Sequence, residues 1–169
     1  MTRPAAPERV RWSARSRDPA ETAAIGAALG RTAPEGAVIL LEGPLGSGKT
    51  ALAQGVGAGC GVAGPVTSPT YNLILHYDGE RRFTHVDLYR LENPVELETL
   101  DLDEVLEGGG VTCVEWPSLL ATRVRAPYAR VRIAVEPGLD SGRRLEGELT
   151  GPGWRAAREA LNELGAETA

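Results

Sequence analysis

Eight consecutive residues constrain this chain more than any others: Gly43-Pro44-Leu45-Gly46-Ser47-Gly48-Lys49-Thr50 fits G-x-x-x-x-G-K-[ST]. In that spacing the glycines let backbone N–H groups wrap a diphosphate, the lysine reaches the outer phosphates and the threonine hydroxyl holds Mg²⁺. Such a loop works only between a strand and a helix, and its flanks comply. Ala37 to Leu41 is a continuous apolar run suited to a strand buried on both faces of a parallel sheet. Thr50 to Ala58 reads as a helix with Leu52 and Val56 inward, and its glycines suggest close packing on the sheet. Nucleotide contacts are therefore expected from Gly43 through Thr50 and on to Ala51, where the helix N-terminus adds favourable charge. Of the 18 lysines and arginines, Lys49 alone is a lysine. A compact ammonium is not interchangeable with a guanidinium where a loop encloses a phosphate.

The fold class that accommodates this loop is α/β: a mixed sheet with a parallel core, flanked by helices, plus antiparallel hairpin strands. With 169 residues, 42% hydrophobic, the chain is long enough for one compact domain spanning 1–169, with residues 1–8 expected to be flexible. A net charge of −5 counts against a stand-alone nucleic-acid binder, so any nucleic acid is expected to be held by a partner. Cys60 and Cys113 lie far apart, with no C-x-x-C and only two histidines to join them, so neither a zinc site nor a disulfide framework is suggested. The longest purely apolar run is too short to span a bilayer, and a cytoplasmic protein with no membrane partner is expected.

Local signals place the remaining elements. Val10, Trp12 and Ala14 alternate with Arg9, Arg11, Ser13 and Arg15, as in an edge strand. Asp18-Pro19-Ala20-Glu21 puts a cap, a first-turn proline and a capping-box glutamate in order, followed by an apolar stripe of Ala24, Ile25, Ala28 and Leu29. Tyr71 to Tyr77 and Arg82 to Tyr89 read as a hairpin joined at Asp78-Gly79. Asn93-Pro94-Val95-Glu96 repeats the helix-start signal for a short helix to Leu100, with another around Asp103 to Leu106. Val111 to Glu115 is a second buried strand. A second hairpin pairs the Val131, Ile133 and Val135 strand with Leu145 to Leu149, and Trp154, Ala157, Leu161 and Leu164 mark a last amphipathic helix ended by Gly165.

Two acids stand where a phosphate loop needs them. Glu115 leaves its strand at the carboxyl edge, where open α/β sheets bind ligands, as a metal-holding acid should. Asp87 ends another apolar strand in the same way. Against both stands the plainer reading that a strand end has met solvent. Thr67, Ser68 and Thr70 form a hydroxyl-rich loop of the kind that closes over a γ-phosphate, or an ordinary turn. Trp116 either stacks on a partner, shields the site or fills the core. His76 and His85, each within a strand, are read as packed or surface residues rather than proton carriers. No N-K-x-D or D-x-x-G accompanies the loop, which counts against a regulatory GTPase, and no L-S-G-G-Q is present. An ATPase, a small-molecule kinase and a nucleotide-binding scaffold without turnover stay open.

In order along the chain, the phosphate loop, Val66-Thr67-Ser68-Pro69-Thr70-Tyr71, His85-Val86-Asp87-Leu88-Tyr89-Arg90-Leu91 and Glu115-Trp116-Pro117 together resemble the TsaE family, also called YjeE. The match runs roughly from Asp18 to Trp154. It implies a P-loop NTPase fold and an ATPase of tRNA N6-threonylcarbamoyladenosine modification, with ATP and Mg²⁺ as cofactors. Carried over residue by residue, the resemblance makes Lys49 a phosphate ligand, Thr50 and Glu115 the Mg²⁺ ligands and Asp87 a residue needed for hydrolysis. It makes Thr67 to Thr70 a nucleotide-sensing switch and adds nucleotide contacts near Pro19 and Gly142. It also implies TsaD and TsaB as partners, with tRNA engaged through their complex, and slow hydrolysis by the chain alone. Ser118 to Arg125 departs from the family pattern, being richer in arginine and lacking the common Leu-Pro step.

Overall fold

The computed structural model describes residues 7–69, 71–120, 122–125 and 127–169. Most of residues 1–8, expected to be flexible, and the switch residue Thr70 lie outside the described residues. The chain opens with β1 (Arg9–Ser16), α1 (Pro19–Thr32), β2 (Ala37–Glu42) and α2 (Lys49–Gly59). It continues through β3 (Ile74–Tyr77), β4 (Phe83–Asp87), α3 (Pro94–Leu97), a 3-10 turn, α4 (Leu102–Glu107) and β5 (Val111–Glu115). After a second 3-10 turn (Pro117–Leu120) come β6 (Tyr128–Val135), β7 (Arg143–Thr150), α5 (Arg155–Glu163) and β8 (Glu167–Thr168).

Among the described residues, eight strands form one sheet in the order β3-β4-β5-β2-β6-β7-β1-β8. β4, β5, β2 and β6 run parallel, and the remaining pairs are antiparallel. This is the mixed α/β sheet that the sequence predicts, with β2 at its parallel centre. Successive residues of β2 serve opposite faces, as the strand period of two requires. Ala37, Ile39 and Leu41 join the core under α1, α2 and α5, whereas Val38 and Leu40 join the smaller core that includes Leu97, Leu102 and Leu120.

Several local expectations are corrected. β1 is not the edge, because the two-residue β8 lies outside it, clamped by hydrogen bonds exchanged between Arg11 and Ala169. The hairpin strands β3 and β4 are shorter than their apolar patterns. Leu164 falls beyond α5 and is exposed. Asp18 caps α1 by accepting the Glu21 N–H, but the Glu21 carboxylate takes the Arg17 N–H rather than completing the box at the cap residue. At Asn93 the box is complete. The glycines of α2 pack chiefly on α1, not on the sheet: a methyl group at Gly55 or Gly59 would overlap the carbonyl of Ala23 or Ala27. Gly26 and Gly30 of α1 meet the carbonyls of Leu52 and Val56 in the same way. The two backbones thus approach closely, and α2 is held firmly behind the phosphate loop.

Candidate functional site

Three chain segments meet at the carboxyl edge of the parallel strands. The loop that leaves β2 turns back through Ser47, whose N–H donates to Pro44 O at 3.1 Å, and enters α2 at Gly48. Gly48 holds φ at 105°, a left-handed value that favours glycine and turns the first N–H groups of α2 toward one point. Lys49 is 4% exposed, and its ammonium donates to Gly43 O and Pro44 O at 2.8 Å each and to Ser47 Oγ at 3.4 Å. Burial lowers its pKa, and the negative charges of Glu115 and Asp87 offset part of that shift.

The acids come from β4 and β5. Asp87 and Glu115 are register partners across this parallel pair, and Leu41 of β2 pairs with Glu115, so both carboxylates stand beside the phosphate loop. The Thr50 hydroxyl donates to Glu115 Oε1 at 3.3 Å. A threonine hydroxyl facing a buried carboxylate is a hard oxygen donor pair, the chemistry Mg²⁺ prefers. Asp87 accepts from Ser68 Oγ at 3.2 Å and from the Tyr89 N–H at 2.9 Å. The 66–68 stretch is anchored to three elements besides: Gln54 of α2 donates to Val66 O, the Thr67 N–H donates to Tyr77 Oη, and His85 Nδ1 meets Thr67 O at 3.1 Å.

Trp116 is neither a core tryptophan nor a free surface ring. It is half-buried at a φ of 57°, packs at a tilt against Tyr89 with ring centroids 4.9 Å apart and lies with its ring centroid 4.1 Å from the Lys49 ammonium. A cation over an indole face is favourable, so the tryptophan covers the lysine. Pro19 is exposed at the start of α1, while Gly142 is buried in the turn between β6 and β7. Both neighbourhoods reach the loop: the side chains of Thr22 and Arg143 come within about 4 Å of where a Gly48 methyl would sit. Pro44, Leu45 and Gly46 are exposed at the loop tip, and Ala51 is half-buried in the first turn of α2.

Two residues join the site that the sequence did not place among its candidates, and His85, read as packed or surface, is indeed packed. His85 is fully buried, with Nε2 2.9 Å from Glu115 Oε1 and Nδ1 on Thr67 O. Both ring nitrogens are therefore engaged by groups of the site. Its signal was the spacing His85-x-Asp87 at a strand end, which puts both side chains on one sheet face. Arg143 donates through Nε to Ser47 O at 2.8 Å and through Nη2 to Gly46 O at 3.3 Å, while Nη1 holds Asp140 O and Gly142 O. One guanidinium thereby ties the late hairpin to the phosphate loop. No local pattern announces it, because its partners in the phosphate loop are nearly a hundred residues away. His76, by contrast, is exposed, and its Nδ1 meets the Thr84 hydroxyl at 3.0 Å and lies 3.4 Å from the Arg82 guanidinium.

Residues 16–145 match the family model described as threonylcarbamoyl adenosine biosynthesis protein TsaE. The tRNA threonylcarbamoyladenosine biosynthesis protein TsaE of Bacillus subtilis (strain 168) is 35% identical over 156 residues, covering 92% of this chain and 95% of the relative. The protein of that name from Nostoc sp. (strain PCC 7120) is 38% identical over 134 residues, 76% of this chain and 80% of the relative. Among solved structures, Bacillus subtilis YdiB superposes with a TM-score of 0.66 at 28% identity, over 94% of this chain and 95% of that one.

Proposed function

This chain belongs to the TsaE family, and on that premise we propose that it binds ATP at Gly43–Ala51 and hydrolyses it within tRNA threonylcarbamoyladenosine biosynthesis. The supporting observation is the convergence of Lys49, Thr50, Asp87 and Glu115 at one edge of the parallel strands. In this reading the chain acts as a single unit, because both core clusters share one sheet.

The chemistry is in-line attack of water on the γ-phosphate, where catalysis is positioning plus stabilisation of spreading charge. Thr50 and Glu115 would hold Mg²⁺, which neutralises charge on the phosphate oxygens when bound. Lys49 exchanges its carbonyl partners in the loop for phosphate oxygens, and Trp116 keeps water from the ammonium. Asp87, steadied by Ser68 and Tyr89, orients the attacking water. The loop that carries Thr67 and Ser68 closes over the γ-phosphate as a switch. Docking on TsaD and TsaB completes the site, so hydrolysis is slow alone and serves to reset that complex, with tRNA held by the partners. Among the described residues no helix is long and apolar enough to cross a membrane, in keeping with work in the cytoplasm.

Phosphate release from ATP and GTP, with and without the matching TsaB–TsaD pair, tests this. Turnover selective for ATP should rise with the pair and fall about 100-fold in Asp87→Ala. Transfer of the γ-phosphate to a metabolite would make the chain a kinase, and tight binding without release would make it a scaffold.

A further inference from the structure

His85 takes no part in the hydrolysis scheme, yet it is fully buried and joins two parts of the site. Its partners lie 30 and 18 residues away in the chain: Glu115 Oε1 at 2.9 Å on one side and the Thr67 carbonyl at 3.1 Å on the other. A histidine that merely fills a strand needs only a nearby backbone partner. Here both nitrogens are spent on elements of the site. The Thr67 peptide is gripped from its other side as well, its N–H donating to Tyr77 Oη at 3.1 Å. On the Glu115 side, the Thr50 hydroxyl lies 3.3 Å and 3.5 Å from the two carboxylate oxygens, so the bond from His85 to Oε1 fixes how the carboxylate faces Thr50.

Building on the ATPase reading above, we propose that His85 is a positioning residue that couples the Glu115 carboxylate to the 66–68 loop, so that a cation held by Thr50 and Glu115 orders that loop through one rigid ring. The physical reason is the cost of a broken bond in this setting. A buried polar group deprived of its partner is destabilising, so a shift of the carboxylate draws the ring, and the ring draws the Thr67 carbonyl. Ser68, bonded to Asp87 at 3.2 Å, carries the next residue of the loop to the neighbouring acid. Partners that orient a metal-holding group commonly change metal affinity by about 10- to 100-fold when removed.

Two half-mimics separate the ends of the ring. The amide nitrogen of asparagine falls near the position of Nδ1, and that of glutamine near Nε2. In the full chain, with a non-hydrolysable ATP analogue as probe, two quantities are read: the Mg²⁺ midpoint of nucleotide binding and hydrogen exchange at the Thr67 and Ser68 amides. In the wild type, Mg²⁺ with nucleotide slows that exchange. His85→Asn keeps the grip on Thr67 but raises the Mg²⁺ midpoint about tenfold. His85→Gln leaves the midpoint within about twofold and abolishes the exchange response. A readout on the unmutated chain needs no variant to fold: with selective ¹⁵N labelling of histidine, the Nε2 resonance of His85 should move on addition of Mg²⁺ and nucleotide. Folded variants that keep both wild-type readouts, variants that lose both together, or a ring resonance indifferent to Mg²⁺ would each overturn the coupling. Failure of the wild type to bind the analogue at all would instead overturn the ATPase reading on which it rests.

Discussion

The sheet has two halves that solve different problems. In the parallel half, β4, β5 and β2 are buried on both faces and end at one edge, so three following loops must converge there. In the antiparallel half, β6, β7 and β1 keep one face on the core and turn the other outward. Arg130 and Arg132 flank Glu42 there, and Arg9 and Arg11 reach Glu148. The exposed half is patterned for solubility and register, with cross-strand ion pairs worth little each. The buried half gathers the polar groups that are costly to bury: Lys49, His85 and Glu115. Buried ionisable groups held by hydrogen bonds mark the working region, and an abundance of surface charge does not.

Substitutions can break this division. Lys49→Ala should lower phosphate release by about 100-fold or more, the cost of losing a donor aimed at developing charge, while the melting temperature holds. Equal turnover in this variant would move the chemistry elsewhere. Next in size, Gly55→Ala forces a methyl into the Ala23 carbonyl between α1 and α2. Overpacking of this kind costs about 1–3 kcal/mol, which calorimetry reads as a lowered melting temperature.

Arg143→Ala sharpens the contrast, because Arg143 is the point where the antiparallel half touches the phosphate loop. Nucleotide affinity should fall about tenfold, each lost charge-assisted hydrogen bond being worth about 1.5–3 kcal/mol before the loop relaxes. Arg143→Lys should not restore it, since a compact ammonium cannot span four carbonyls. An unchanged dissociation constant would make the contact incidental.

The smallest effect lies away from the site. Glu35 accepts the Gly110 N–H, and this bond, with Arg81 beside it, holds the carboxyl below its ordinary pKa of 4.5. A carboxyl depressed in the folded state adds stability above the unfolded value, and that contribution fades as pH falls through the folded value. Glu35 is well exposed, so solvent screening leaves about 0.5 kcal/mol or less. Glu35→Gln should therefore lower stability slightly at neutral pH and flatten its loss below about pH 4.5 in denaturant titrations, with turnover untouched.

Local chemistry made much of this readable in the sequence. The phosphate loop, the apolar runs of β2 and β5 and the caps at Asp18 and Asn93 are short-range signals, and each falls where the structure has it. Long-range features escaped. β8 is two residues long, pairs with Trp12 and Ser13 of β1 and is held at its end by the bonds between Arg11 and Ala169. The glycines spaced four apart in both α1 and α2 marked a shared helix face, but composition alone could not say whether a helix or the sheet lay against it. His85 looked like a strand residue because its strand period is that of the core, and only the pairing of β4 with β5 brings it to Glu115.

Hydrogen exchange across the whole chain, with and without ATP and Mg²⁺, tests the division of the sheet most directly. The account predicts slowed exchange at residues 43–51, 66–68, 85–89 and 115–116, with the outward face of β1, β6 and β7 unchanged. Protection centred on the antiparallel strands, or spread evenly over the chain, would contradict it.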